Sequence, residues 1–340
     1  MAAIRRDENL MKKYDVCGLG NAVVDIFLAV SEEAFTELGF EKGSMRLVEK
    51  DEQQGLLEKF HTDEHQLKLV SGGSVANSII GMSQLGGMGA FIGCVGNDVY
   101  GQHYVEEFKE LGIEIGSPMI EAETTGTCLA VITPDAERTM RTCLAVSSQL
   151  ASQHVDATRV AESKWLFIEG YVFANPETGQ GAIREAIRIA KESGTKVALT
   201  CSDAFVPEVF GDVFREALVD SDLLFCNAPE SVAVTQAKDS EEAFERLKDM
   251  VPNVVVTDGP GGAFVDFDGQ VGHVPAVSTE PRDLTGAGDM FAGAFLYGVN
   301  HGVDPLSAAR GANYMSHKVI SQVGARLSED AKSLWQNALS

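Results

Sequence analysis

The chain has 340 residues, a hydrophobic fraction of 44% and a formal net charge of −23 at pH 7. That length fits one large α/β domain or two smaller ones, and no run of about eighteen apolar residues is present to span a membrane. The acidity excludes a non-specific nucleic-acid binder, which needs a positive face, and leaves any anionic ligand to local amides, a few cations or a metal ion.

Residues 1–13 carry Arg5, Arg6, Lys12 and Lys13 beside Asp7 and Glu8 without an apolar stretch, and read as a loose leader rather than a secretory signal. The six cysteines, Cys17, Cys94, Cys128, Cys143, Cys201 and Cys226, form no C-x-x-C pair and sit mostly in apolar runs. They read as buried reduced thiols of a cytoplasmic protein. The seven histidines are scattered, and no zinc site is expected.

Residues 14–20 read as a buried strand ending at glycine, and 21–27 as a second short strand with Asn21 and Asp25 at positions where a sheet presents ligand contacts. Residues 32–45 suggest a small helix and an extended piece; 51–60 have helical spacing with Asp51 as cap. A strand over 67–72 then meets Gly72-Gly73, and Ser74 is expected to cap a helix reaching Leu85. The two glycines let a substrate approach the backbone, and the Asn77 amide can donate to and accept from sugar hydroxyls. A strand over 90–95 and a helix over 99–111 follow.

From 119 to 144 the pattern changes to a hairpin with no helix between its strands, which suggests a separate small sheet acting as a lid. Arg138 and Arg141 lie on it, and one of them could meet a phosphate. Beyond it, strands over 164–169, 196–200, 222–227 and 253–257 alternate with helices over 176–193, 207–218, 228 onward and 241–250. Alternation of this kind indicates a parallel sheet covered on both faces, with ligands at the carboxyl ends of its strands. Thr257, Gly259 and Gly262 lie in an amide-rich loop, and a hairpin turns at Asp268-Gly269.

The run 282–295 ends the alternation with small residues leading into a helix over 287–301, followed by one over 305–321. The amides of Gly286, Ala287 and Gly288 would point out of the helix start, an anion site suited to phosphate. Asp289, one step further in, suits a general base that takes a proton from a hydroxyl while the amides hold phosphoryl charge.

Gly72-Gly73 to Asn77, Asp283-Leu284-Thr285-Gly286-Ala287-Gly288-Asp289 and Asn227-Ala228-Pro229-Glu230, in that order, resemble the ribokinase (PfkB carbohydrate kinase) family over about 14–328. The resemblance implies an α/β, ribokinase-like three-layer sandwich: one domain over 14–330, a mostly parallel central sheet, and a small β-sheet lid from segments near 25–49 and 117–144. It implies an ATP- and Mg²⁺-dependent phosphotransferase acting on an alcohol group. Asp289 would be the base, Gly286, Ala287 and Gly288 the anion hole, and Arg138 the lid arginine. Asp25, Gly72, Gly73 and Asn77, with Asn21 nearby, would hold the acceptor's hydroxyls. Asn227 and Glu230 would order Mg²⁺ and phosphate, largely through water. Thr257, Gly259 and Gly262 would line the nucleotide, with Asn313 near the adenine. Asp283, Thr285, Gly324 and Ser328 match a monovalent-cation site, usually K⁺. Leu284 and Val75 depart from the family's usual residues, and Leu284 weakens the cation assignment.

The Gly-Gly-Ser-Val-Ala-Asn block, residues 137–146 and residues 199–205 resemble adenosine-kinase-like members more than fructokinases. A nucleoside, adenosine first, is therefore expected as acceptor, with ribose or another sugar second. Phe27, Phe173, Cys128 and Leu144 are candidates for the apolar slot that a base needs. A dinucleotide oxidoreductase is disfavoured, since Gly18-Leu19-Gly20 lacks the third glycine of that fingerprint. A regulatory protein that had lost catalysis would not need Asp289, Asn227 and Glu230 intact. Monomer and homodimer both remain open.

Overall fold

A computed structural model describes residues 12–60, 68–117, 119–135 and 137–340, so the leader reading lies outside the described residues except for Lys12 and Lys13. The strands in chain order are β1 (Tyr14–Leu19), β2 (Val23–Ala29), β3 (Met45–Leu47), β4 (Lys68–Gly72), β5 (Gly89–Ile92), β6 (Glu114–Ile115), β7 (Gly126–Ile132), β8 (Arg138–Cys143), β9 (Ser163–Ile168), β10 (Lys196–Thr200), β11 (Leu223–Asn227), β12 (Val254–Thr257), β13 (Ala263–Phe267) and β14 (Gln270–Val274).

Nine of them form one sheet in the order β14-β13-β12-β11-β10-β9-β1-β5-β6. It is parallel except at the β12–β13 and β13–β14 pairs. Its central strands read as near-continuous apolar runs because both faces are covered. One face packs Ile79, Phe295 and Met315 from the helices Ser74–Leu85, Ala287–Asn300 and Pro305–Ile320. The other packs Ile183, Phe214 and Phe244 from Gly179–Ser193, Gly211–Val219 and Ser240–Leu247. The result is helix, sheet, helix: three layers.

The remaining five strands make a second, mixed sheet in the order β3-β8-β7-β2-β4. Side chains alternate across a strand. Ile26 and Leu28 of β2 and Leu129 and Val131 of β7 therefore share a face, which packs Phe35, Leu56 and Leu57 of the helices Glu32–Leu38 and Lys50–Phe60. Asp25 and Phe27 lie on the opposite face, registered against Cys128 and Ala130.

Several local expectations change. The strand before Gly72-Gly73, outside the segments expected to form the lid, joins the small sheet, paired antiparallel with β2. Ser74 is the first helical residue, not the cap; Gly73 holds that position with φ 110°. Asp51 lies within the first turn of a helix that begins at Lys50. The expected helix over 207–218 is two, Phe205–Val209 and Gly211–Val219, broken at Phe210. A further helix, Ala331–Leu339, buries Trp335 so closely on Gly311 that a Cβ there would stand 2.6 Å from the indole. All six cysteines are free and buried, as their apolar settings implied. No helix among the described residues is long and apolar enough to cross a membrane.

Candidate active site

Two helices, Ser74–Leu85 and Ala287–Asn300, begin on glycines, Gly73 and Gly286, with no side-chain cap. Some other helices begin on Asp98, Asn227 or Asp304, whose side chains accept first-turn amides, while Gly179–Ser193 and Gly211–Val219 also start without a side-chain cap. An uncapped helix start keeps amide donors for a ligand. At both sites glycine is required. A Cβ on Gly73 would overlap the Asn21 carbonyl, and one on Gly286, at φ 77°, would stand 2.5 Å from Ala325 Cβ.

Asp289 joins the two helix starts. Its Oδ1 accepts the Ser74 hydroxyl at 2.6 Å and its Oδ2 accepts Asn77 Nδ2 at 3.1 Å. Burial pushes the Asp289 carboxyl up to about 6, against the pull of these two donors. Among the expected anion-hole amides, that of Ala287 donates to the Leu284 carbonyl at 3.3 Å. Gly288 faces open space, since a Cβ there would meet nothing within 4 Å.

A cavity of about 200 Å³ touches Asp289 and Gly288 and is also lined by Ser74, Thr200, Asn227, Glu230 and Thr257. Asn227 and Glu230 hold each other in a capping box: Glu230 N donates to Asn227 Oδ1 at 2.9 Å, and Asn227 N to Glu230 Oε2 at 2.9 Å. Burial raises the Glu230 carboxyl to about 7. No group of three His, Cys, Asp or Glu side chains suited to a metal exists among the described residues. A divalent ion here fits only as one arriving with phosphate oxygens.

A second cavity, about 420 Å³, shares Thr257, Gly288 and Phe291 with the first and continues past Gly259, Gly262, Leu284, Asn313 and His317. Its walls are the Thr257–Gly262 loop and the helices Ala287–Asn300 and Pro305–Ile320. Asn313 Nδ2 donates to the Pro275 carbonyl at 3.0 Å, fixing the strap that closes this end. Leu284, which departs from the family pattern, is 68% exposed on the cavity wall.

The small sheet's inner face holds Asp25 beside Gly72; a Cβ on Gly72 would come within 2.8 Å of Asp25 Oδ2. Burial raises the Asp25 carboxyl to about 7, and Arg326 and Arg138 oppose the rise. Burial also pushes the Cys128 thiol up to about 12, so beside Asp25 it is an apolar surface. Phe27 lies under the Arg138 guanidinium, 5.1 Å from the ring centroid. Phe173 is not on this face: it is 1% exposed and packs on Phe214 in the core, which removes it as a wall for the acceptor. Arg141 is likewise turned away, buried over the Phe40 ring.

Asn21 serves the frame. Its Oδ1 accepts the Ser147 hydroxyl and its Nδ2 donates to Glu169 Oε1 at 2.8 Å. Glu169 is a site residue the motifs do not reveal. It follows β9, is 1% exposed, and also accepts Val75 N at 3.2 Å. Burial raises it to about 7. Its only local signal is an acid closing an apolar strand.

At the expected monovalent-cation residues, the Asp283 carboxylate and the Ser328 hydroxyl are engaged within the protein. Asp283 Oδ1 accepts Thr285 N at 3.1 Å, and Oδ2 accepts Gly324 N at 2.6 Å and lies 2.8 Å from Arg138 Nη2. Ser328 donates its hydroxyl to Gln322 Oε1.

The profile described as pfkB family carbohydrate kinase matches residues 43–332. The crystal structure of adenosine kinase from Sinorhizobium meliloti is 31% identical, superposes with a TM-score of 0.85, and covers 96% of this chain and 99% of its own. Adenosine kinase 1 of Arabidopsis thaliana is 25% identical over 92% of this chain and 95% of its own length. A fructokinase of Klebsiella pneumoniae is 27% identical over 72% of this chain and 82% of its own.

Proposed function

The chain belongs to the pfkB family of carbohydrate kinases and is a phosphotransferase acting on an alcohol group of a nucleoside or sugar; from that premise we propose that it transfers the γ-phosphoryl group of ATP to the 5′-hydroxyl of a nucleoside, adenosine first. Asp289 carries this reading: its carboxylate stands on the wall of the phosphate-sized cavity, held by Ser74 and Asn77. The base takes the acceptor's hydroxyl proton as the oxygen–phosphorus bond forms and the bond from the γ-phosphorus to the β,γ-bridging oxygen breaks, with ADP leaving. The uncapped start of Ala287–Asn300 faces the charge on the transferred group. Asp25, Gly72, Gly73 and Asn77 hold the acceptor's other hydroxyls. Thr257, Gly259, Gly262 and Asn313 line the nucleotide's 420 Å³ cavity. Mg²⁺ bound with the nucleotide would neutralise phosphate charge, within reach of Asn227 and Glu230 through water.

The nucleoside preference is supported by the inner face of the small sheet, where the half-buried Phe27 ring lies on the same face as Asp25, with Cys128 and Ala130 buried behind them in register. A free sugar needs no such surface. The likeness to a fructokinase supports a sugar as the second reading. A coupled ADP-release assay with Mg²⁺-ATP against adenosine, inosine, guanosine, ribose, fructose and 2-keto-3-deoxygluconate tests both. Preference for adenosine is expected; turnover on free sugars alone would keep the mechanism and discard the nucleoside.

A further inference from the structure

Arg138 and Asp283 come from opposite sides of the site. Arg138 opens β8 of the small sheet; Asp283 precedes the turn that leads into Gly286. Their side chains are 11% and 7% exposed, and Nη2 lies 2.8 Å from Oδ2. The same carboxylate accepts the amides of Thr285 and Gly324, on the segments that shape and back the Gly286 turn. Ala325, next to Gly324, packs directly on Gly286. The guanidinium also lies over the Phe27 ring, 5.1 Å from its centroid, so the ion pair is held between the small sheet and the turn.

We propose that Arg138 is a built-in counter-cation for Asp283: when the small sheet lies over the site, its guanidinium supplies the positive charge at this carboxylate and fixes the turn that carries Gly286, Ala287 and Gly288. The chain therefore works without a monovalent metal ion at Asp283. Arg138 acts as a positioning residue, through Asp283, on the amides that meet the phosphoryl group. The inference rests on the kinase reading for its kinetic arm only.

The test compares K⁺ with tetramethylammonium at equal ionic strength. In the protein without substrates, the unfolding temperature is expected to be the same in both salts, and wild-type turnover on the best acceptor to change less than about twofold. Severalfold activation by K⁺, or a K⁺-specific rise in unfolding temperature, would overturn the proposal. A double-mutant cycle on denaturant unfolding with Arg138→Met and Asp283→Asn completes it. The pair is expected to be non-additive, with Arg138→Lys retaining most of the coupling; additive singles would overturn the proposal. In kinetics Arg138→Met should lower kcat by about tenfold or more with little change in KM for ATP, the pattern of a contact felt in the transition state. If every acceptor fails, the unfolding arms still decide.

Discussion

At the scale of single residues, the proposed reaction calls for a carboxylate that is basic enough to take a proton yet ionised at neutral pH. Asp289, raised to about 6 by burial, meets both conditions. The sign follows directly. The ionised form is the base, so kcat/KM should rise with pH through about 6, falling about tenfold per unit below it. Asp289→Asn should fold normally and lose turnover by roughly two to four orders of magnitude, measured by single-turnover phosphoryl transfer; near-full activity would remove the assignment. The two glycines of the turn separate folding from function. Gly286→Ala forces a Cβ against Ala325 at φ 77° and should destabilise by about 1–3 kcal/mol. Gly288→Ala meets no neighbour, so its unfolding free energy should stay within about 1 kcal/mol of wild type, even gaining from helix propensity. Its methyl enters the space given to the phosphoryl group, and kcat should fall at least about tenfold. Denaturant unfolding and steady-state kinetics on the pair would check this, and equal effects on both quantities would contradict it.

At the scale of elements, the site is made by where strands and helices end. The helix Ala228–Thr235 starts on Asn227, whose box with Glu230 satisfies first-turn amides and places both side chains on the cavity that Asp289 also lines. Asn227→Ala should cost about 1 kcal/mol in urea unfolding and raise KM for ATP; loss of stability without any kinetic change would reduce Asn227 to a cap. The helices and most strands were legible because apolar period and glycine stops are local signals, as at Gly194, which ends Gly179–Ser193 at φ 67°. The motifs at Gly72-Gly73, Asn227 and Gly286 were legible for the same reason. Sheet membership was not. A strand such as β4 looks alike in either sheet, and only its pairing with β2 puts it in the small one. Ser74 reads as a cap from its neighbours; the hydroxyl goes instead to a carboxylate far along the chain. Glu169 carries no motif, because its role comes from the β1–β9 register, which brings it to Asn21 and Val75. Phe173 looked available and is core, since its partner Phe214 comes from a helix whose packing no local pattern announces.

At the scale of the whole molecule, four carboxyls at the site, Asp25, Glu169, Glu230 and Asp289, are raised to about 6 or 7 by burial. Their unfolded values are near 4, so between about pH 4 and 7 the folded protein holds protons that the unfolded chain releases. Their contribution to stability is thus full below that window and is lost as pH rises through it. Glu169→Gln, at a site 1% exposed, should flatten the fall: relative to wild type, its unfolding free energy should improve by up to about 3 kcal/mol from pH 4 to 8. Parallel wild-type and variant curves would show that Glu169 carries no such load. The apoprotein is therefore strained by the groups that make it reactive, and ligands that satisfy those groups should stabilise it. The geometry that holds Asp289 also orders events in time. Ser74 and Asn77 precede it by 215 and 212 positions. During synthesis the residues that grip the base are made long before the base itself, and domains form as units. A growing chain that has not yet reached Asp289 therefore holds Ser74 and Asn77 without the carboxylate they grip.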